Sequence, residues 1–279
     1  MNKLTIEKRA AVIRALVEGC SIRSTVRMSG VAKNTIVKLL ADFGFACACY
    51  QVKMVRNLSP KRIQCDEIWA FVHTKEKNLR PEHRGTLGLG DIWTWVAIDP
   101  DSKLVVTYHV GQRSPDDARA FMLDLAGRIT NIVQLTTDGF AAYPEAVRNA
   151  FGSNVDYAQL NKVYGQEPMT EARYSPPKIN GTRRKAIIGM PHPDHISTSI
   201  VERSNLTMRM TIRRFTRLTN AHSKKVENHV HSVALHGAYY NFCRIHESLR
   251  VTPAMAAGIT KRAFEIEELL GLLDGQEPN

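Results

Sequence analysis

A mixed α/β sheet with flanking helices, preceded by a small all-α domain, is the fold class predicted by this 279-residue sequence. Three observations predict it. The first forty-five residues carry short helical patterns closed by glycines. From Ile63 onward, runs rich in Ile, Val, Trp and Phe are separated by turn signals. After three such runs, helix and strand patterns alternate. A hydrophobic fraction of 43% supports a real core and excludes a disordered or collagen-like chain.

The elements follow in order. Thr5 is the N-cap candidate of a helix through Ile6, Ala10, Ile13, Leu16 and Val17 that stops at Gly19. Ser21 caps a second helix, with Ile22, Val26 and Met28, ending at Gly30. A third runs from about Ala32 to Phe43, with Ile36, Leu39 and Leu40 inward, and stops at Gly44. Two short helices around a glycine turn, after a leading helix, make a helix-turn-helix over residues 1–45. Its third helix offers Lys33, Asn34, Thr35 and Lys38 to phosphates and base edges. A plain three-helix bundle with a basic surface is the alternative. Residues 46–62 read as a basic linker.

Strands are expected over Ile63–His73, Asp91–Asp99 and Lys103–Val110, the last two joined by a Pro100-Asp101-Ser102 turn. Ser114-Pro115-Asp116-Asp117 is a cap, a first-turn proline and two acids, opening a helix to about Arg128. A strand over Ile132–Thr137 ends in Asp138-Gly139, followed by a helix near Tyr143–Phe151 and a strand near Val155–Leu160. Residues 161–195, carrying Pro168, Pro176, Pro177, Pro191 and Pro193, read as a mobile basic insertion. The Lys225–Phe242 pattern reads as a core helix. Residues 258–279 form a C-terminal helix and tail whose apolar stripe serves either a subunit interface or core capping. Tyr240, Asn241, Arg244 and His246 either belong to the core packing of the Lys225–Phe242 helix or brace a site.

Charge points to a partner. The net charge is +11 and the isoelectric point near 9.6, so a polyanion is the first candidate. The excess is segregated. Residues 1–62 hold twelve Lys/Arg against three acids, and residues 203–225 hold seven with none. A third acid-free stretch runs from Arg173 to Lys185 and includes Arg183 and Arg184. Separate blocks suit contacts along a phosphate backbone, with solvated helix faces as the bland alternative. Five cysteines without a C-x-x-C pair argue against a disulfide framework or a structural zinc site and for a reducing cytoplasm. No signal-peptide pattern and no run near ~18 apolar residues is read, so no membrane partner is expected.

Two carboxylates look misplaced. Asp66 falls inside the first strand on the pleat face of Ile68, Ala70 and Val72, where an ionised group is costly unless paired or bound to metal. Asp138 ends a strand before a glycine, where ligand sites of open α/β sheets lie. A third acid, Glu202, sits in a segment with helical caps and an Ile200/Val201 stripe. Three hard oxygen donors brought together can hold two divalent cations, Mg²⁺ or Mn²⁺, which suit in-line phosphoryl displacement. Arg209, seven residues after Glu202, shares its helix face and would meet phosphate there. Asp91 and Asp99 are possible substitutes for Asp138. His192-x-x-His195 and His229-x-His231 lack the companions a zinc site needs.

Four ordered motifs then resemble the DDE transposases of bacterial insertion sequences, most closely the insertion-sequence-one type. They are Gln64-Cys65-Asp66-Glu67-Ile68-Trp69-Ala70-Phe71-Val72, Thr136-Thr137-Asp138-Gly139, Ile200-Val201-Glu202-Arg203-Ser204-Asn205, and Tyr240 to Leu249 with Thr252-Pro253-Ala254. The resemblance covers roughly residues 1–257. It implies a ribonuclease-H-like catalytic domain over 63–257, with Asp66, Asp138 and Glu202 as the metal-binding triad and two Mg²⁺ or Mn²⁺ ions. It further implies binding to the element's double-stranded terminal repeats and to target DNA, hydrolytic nicking, joining of the freed 3′-OH, and a homo-oligomer on DNA. Arg203, Arg209, Arg213, Arg214, Arg183, Arg184 and Lys185 join the N-terminal helix as DNA-contact candidates. Members often carry a cysteine zinc motif ahead of the helix-turn-helix, which is absent here. Two alternatives stay open: a non-catalytic regulator on a disabled scaffold, and a structure-selective nuclease.

Overall fold

In the computed structural model, which describes residues 4–86, 88–165, 179–216 and 219–278, six strands form one mixed sheet flanked by helices. The strand order is β3-β2-β1-β4-β5-β6. β1 (Arg62–Val72), β2 (Gly90–Ile98) and β3 (Val105–Gly111) make an antiparallel meander. β4 (Val133–Thr137) then adds parallel to β1, and β5 (Val155–Tyr164) parallel to β4. α4 (Pro115–Ala126) and α5 (Tyr143–Phe151) supply the two crossovers that parallel pairing demands. β6 (Ile179–Ile188) closes the sheet as an antiparallel edge strand.

The pleat divides the core as period 2 requires. On β1, Ile63 and Cys65 join Trp95, Phe121 and Tyr143 on one face. Ile68, Ala70 and Val72 face the other way and pack with Val201 and Met208 of α6 (Ser199–Thr211). Asp66 therefore points toward α6, on the face its spacing predicts.

Three helices precede the sheet: α1 (Ile6–Val17), α2 (Ile22–Ser29) and α3 (Lys33–Met54). The expected caps are present, with Thr5 Oγ1 accepting from Lys8 N and Ser21 Oγ from Ser24 N. Gly30 takes the left-handed conformation that ends α2, at φ +67°. The expected stop at Gly44 is not one, and most of the stretch read as a linker over 46–62 is helix or strand. α3 continues to Met54 because Gly44 faces α7 (Val226–Ala238): an added Cβ would lie 2.6 Å from His231 Cβ and O. The glycine permits close approach of two helix backbones. Gln51 then donates Nε2 to Ala234 O at 3.0 Å across the same interface. The core is continuous from α1–α3 into the sheet, through contacts such as Tyr50 on Phe242.

Two further expectations change, and a third is narrowed. α3 is long and apolar enough to cross a membrane by length and composition, contrary to the sequence reading, although part of it is core surface here. Among the described residues of the insertion over 161–195, 161–164 extend β5 and 179–188 form β6, which pairs antiparallel with β5. Arg173 and Lys178 of its basic stretch, with Pro168, Pro176 and Pro177, lie outside the described residues. The C-terminal helix α9 (Ile266–Leu270) packs on α1, where Arg14 holds Glu267 at 2.7 Å and Arg9 meets Asp274.

Candidate metal centre

The sheet register alone brings two acids together. Gln64 pairs with Thr136 across the parallel β1–β4 ladder, so two residues on, Asp66 stands level with Asp138. One carboxylate oxygen from each of Asp66, Glu67 and Asp138 lies within 4.8 Å of the others. Each is held. Asn205 Nδ2 donates to Asp66 Oδ2 at 2.8 Å, and Phe140 N to Asp138 Oδ1 at 2.9 Å. The Tyr143 hydroxyl donates to Glu67 Oε1. Arg113 sits between two of them, with NH2 at 3.2 Å from both Glu67 Oε2 and Asp138 Oδ2. Its guanidinium lies 4.3 Å above the Phe140 ring and 5.1 Å above Trp93.

Glu202 approaches from the first turn of α6. Gln64 places that helix: its Oε1 accepts from Ile200 N at 2.9 Å and Val201 N at 3.1 Å, capping α6 from β1. Gln64 is two residues before Asp66, so a single stretch of strand carries one acid and anchors the helix bearing another. Glu202 stands outside the compact trio. Its Oε1 accepts from Thr198 Oγ1 at 2.5 Å and its Oε2 pairs with Lys162 Nζ at 2.5 Å.

Crowding raises two of these carboxyls. Burial, then the Asp138 charge, pushes Asp66 up to about 6, with Glu202 adding to the effect. Burial, then Asp138, pushes Glu67 up to about 8 against the opposing Tyr143 hydrogen bond and the Arg113 charge. The donor set is wholly hard oxygen, and two protein cations already bridge it, Arg113 between Glu67 and Asp138 and Lys162 on Glu202. These properties fit a divalent cation such as Mg²⁺ or Mn²⁺.

No family model matches the chain, and no curated protein matches it. Among solved structures it is similar to a cryo-EM structure of the piggyBac transposase synaptic complex with hairpin DNA. That alignment has 11% identity and a TM-score of 0.43, over 98% of this chain and 71% of that one. A likeness at this level carries no structural argument.

Other candidates resolve individually. Asp99 accepts from Asp101 N and Ser102 Oγ in the β2–β3 turn, and Asp91 accepts from Glu76 N, so neither substitutes for Asp138. His229 is fully buried and uses both ring nitrogens, on Thr94 and Ser223. His195 meets Arg62, a poor setting for a metal ligand. Asn241 exchanges two hydrogen bonds with the Val105 backbone, at 2.9 and 3.0 Å, and so braces β3 rather than the acids.

The DNA-contact candidates spread over three surfaces. Thr35 and Lys38 are exposed on α3, Lys38 paired with Asp42. Lys33 and Asn34, at the start of α3, line a cleft with Arg213 and Arg214. Arg203 is exposed and Arg209 half-buried on α6. Arg183, Arg184 and Lys185 are exposed on β6. There Arg184 pairs with Leu160 on the pleat face from which Lys162 reaches Glu202, while Arg183 and Lys185 project from the other face.

Sequence reasoning missed Glu67, Arg113, Lys162 and Asn205. Glu67 has the opposite pleat parity to Asp66, yet an acid on the second face of a doubly buried strand was itself a signal. Asn205 falls one turn after Glu202, a spacing visible in the sequence. Arg113 and Lys162 come from a connection and a strand end that only tertiary packing brings near.

Proposed function

We propose that the chain is a metal-dependent DNA transposase of the DDE kind, resembling the insertion-sequence-one type, with a ribonuclease-H-like catalytic domain. The observation that carries the reading is the placement of Asp66 and Asp138 side by side on adjacent parallel strands. Glu202 lies outside that cluster, on a helix that β1 itself caps, and its charge acts on Asp66. The four motifs of the sequence add to this.

Asp66, Asp138 and Glu202 would hold two Mg²⁺ or Mn²⁺ ions. When bound, such ions activate water and neutralise charge on the scissile phosphate. The protein's own groups orient the ligands. Asn205 fixes the Asp66 carboxylate, the Phe140 amide fixes Asp138, and the Thr198 hydroxyl fixes Glu202. Glu67, the buried member of the trio, is raised to about 8 and so limits the negative charge that Arg113 must balance. Lys162 and Arg113 supply positive charge beside a substrate phosphate.

In this reading, α2 and α3 act as a helix-turn-helix on the terminal repeats. The site nicks the element end and directs the freed 3′-OH at target DNA, with both ends held in a homo-oligomer in the cytoplasm. The test is transposition from a donor plasmid carrying the gene's native flanks, comparing wild type with Glu202→Gln at equal expression. Movement only with wild type supports the reading, and equal movement removes Glu202 from the site. Purified protein that cleaves end DNA but yields no joined product identifies a nuclease instead. Scattering that finds one protomer on paired ends refutes the oligomer.

A further inference from the structure

The basic blocks of residues 1–62 and 203–225 converge on one cleft, of about 790 Å³, between the N-terminal helices, the end of α6 and α7. That volume suits a small organic ligand, since such sites run to ~300–1,000 Å³. Its lining is divided by chemistry. Leu16, Val17, Val37, Leu40, Ile212 and Leu235 form an apolar floor. Arg23, Lys33, Arg213, Arg214, Lys224 and Lys225 stand around it, and no carboxylate is among the described lining residues. Asn34, Asn220 and Asn228 add side-chain amides, which can both donate and accept.

Arg214 is the informative member. It is half-buried, and among the described residues its hydrogen bond goes to Ser223 Oγ at 3.3 Å and it pairs with no carboxylate. Loss of solvent alone pushes it down to about 10, so it remains charged at neutral pH. A partly buried cation without an acid is costly, and an anion in the cleft would offset that cost. Lys33 begins α3, whose N-cap, Ala32, supplies no side-chain hydrogen bond, leaving amides that favour negative charge.

We propose that this cleft binds an unpaired nucleotide, seating the base on the apolar floor and its phosphates on the Arg214 and Lys224 side. The base edge meets the asparagine amides. The two chemistries together select this ligand: a bare phosphate would leave the floor wet, and a neutral apolar ligand would leave six cations unanswered. Thr211, which lines the cleft, is nine residues beyond Glu202 on α6, about 14 Å along the axis at ~1.5 Å per residue. A strand held here would reach the acids. The assignment itself does not depend on what the acids do.

The test uses the full-length protein and three probes: labelled single-stranded pentathymidylate, the same strand with an abasic central position, and free dTMP. Cys20, half-buried in the cleft wall, is the reporter, through its alkylation by N-ethylmaleimide read by mass spectrometry. The expected result is at least tenfold weaker binding of the abasic strand and protection of Cys20 by the intact one. Arg214→Gln should lower affinity at least tenfold. If that variant does not fold, the exposed-side pair Lys33→Glu and Lys224→Glu serves the same purpose. Competition by dTMP at the strand's own concentration range marks a free nucleotide as the ligand, and its absence marks a strand. Equal binding of the abasic strand, or Cys20 alkylation unchanged by bound strand, overturns the proposal.

Discussion

Replacing Asp66 by Asn should stabilise the metal-free protein, by an amount that depends on pH in a defined direction. The carboxyl lies in a partly buried site beside Asp138, and its pKa rises from 3.8 to about 6. A carboxyl raised in the fold binds its proton more tightly there than in the unfolded chain. Its contribution is therefore fully present below about pH 4 and is lost as pH rises through about 6. Roughly two pH units at ~1.4 kcal/mol each give about 3 kcal/mol. Asparagine does not titrate, and its Oδ1 can still accept from Asn205 Nδ2. The variant should match wild type near pH 4 and exceed it by about 3 kcal/mol at pH 8. At ~2–4 °C per kcal/mol for a chain of this size, that is roughly 6–12 °C in Tm. The assay is thermal melting in EDTA from pH 4 to 8. Saturating Mg²⁺ should narrow the gap, because wild type gains ~3 kcal/mol at a hundredfold excess over Kd while the variant gains less. A difference that ignores pH, or a variant less stable at pH 8, refutes the account of Asp66 as a crowded ligand.

The remaining predictions concern the frame around the site. Gly44→Ala should cost more than 2 kcal/mol in urea denaturation, against the ~1 kcal/mol gain expected of Ala in an ordinary helix interior, because its Cβ would meet His231 at 2.6 Å; a stabilised variant would refute the close α3–α7 approach. Gln64→Ala should destabilise by about 1 kcal/mol through the lost α6 cap and raise the Mg²⁺ concentration needed for half-maximal thermal stabilisation, whereas Gln64→Glu, which keeps an acceptor, should lose less stability. Asn241→Ala removes both hydrogen bonds to the buried Val105 backbone and should cost about 2–3 kcal/mol, with no change in Mg²⁺-induced stabilisation. A shifted Mg²⁺ response in Asn241→Ala would instead tie that residue to the acids.

Local rules in the sequence were enough for much of the fold. The alternation of β1 placed Asp66 on the Ile68–Ala70–Val72 face, the Ser114-Pro115 cap opened α4, and Asp138 before Gly139 marked the end of β4, because pleat parity, capping and strand ends depend on neighbours in the chain. Gly44 shows where local rules stop. A glycine after an apolar run reads as a helix end, and only the backbone of α7 across from it explains why α3 passes through. The same division runs through the site. Sequence could nominate Asp66, Asp138 and Glu202 as acids in unusual settings. Their neighbours needed tertiary structure: Arg113 bridges Glu67 and Asp138, Lys162 holds Glu202, and Gln64 caps α6 from another element. The basic cleft joins blocks nearly two hundred residues apart, from Arg23 and Lys33 to Arg213 and Lys224. Secondary structure follows from side chains a few residues apart, whereas ion pairs and clefts form between residues whose proximity is created only when the packed layers close.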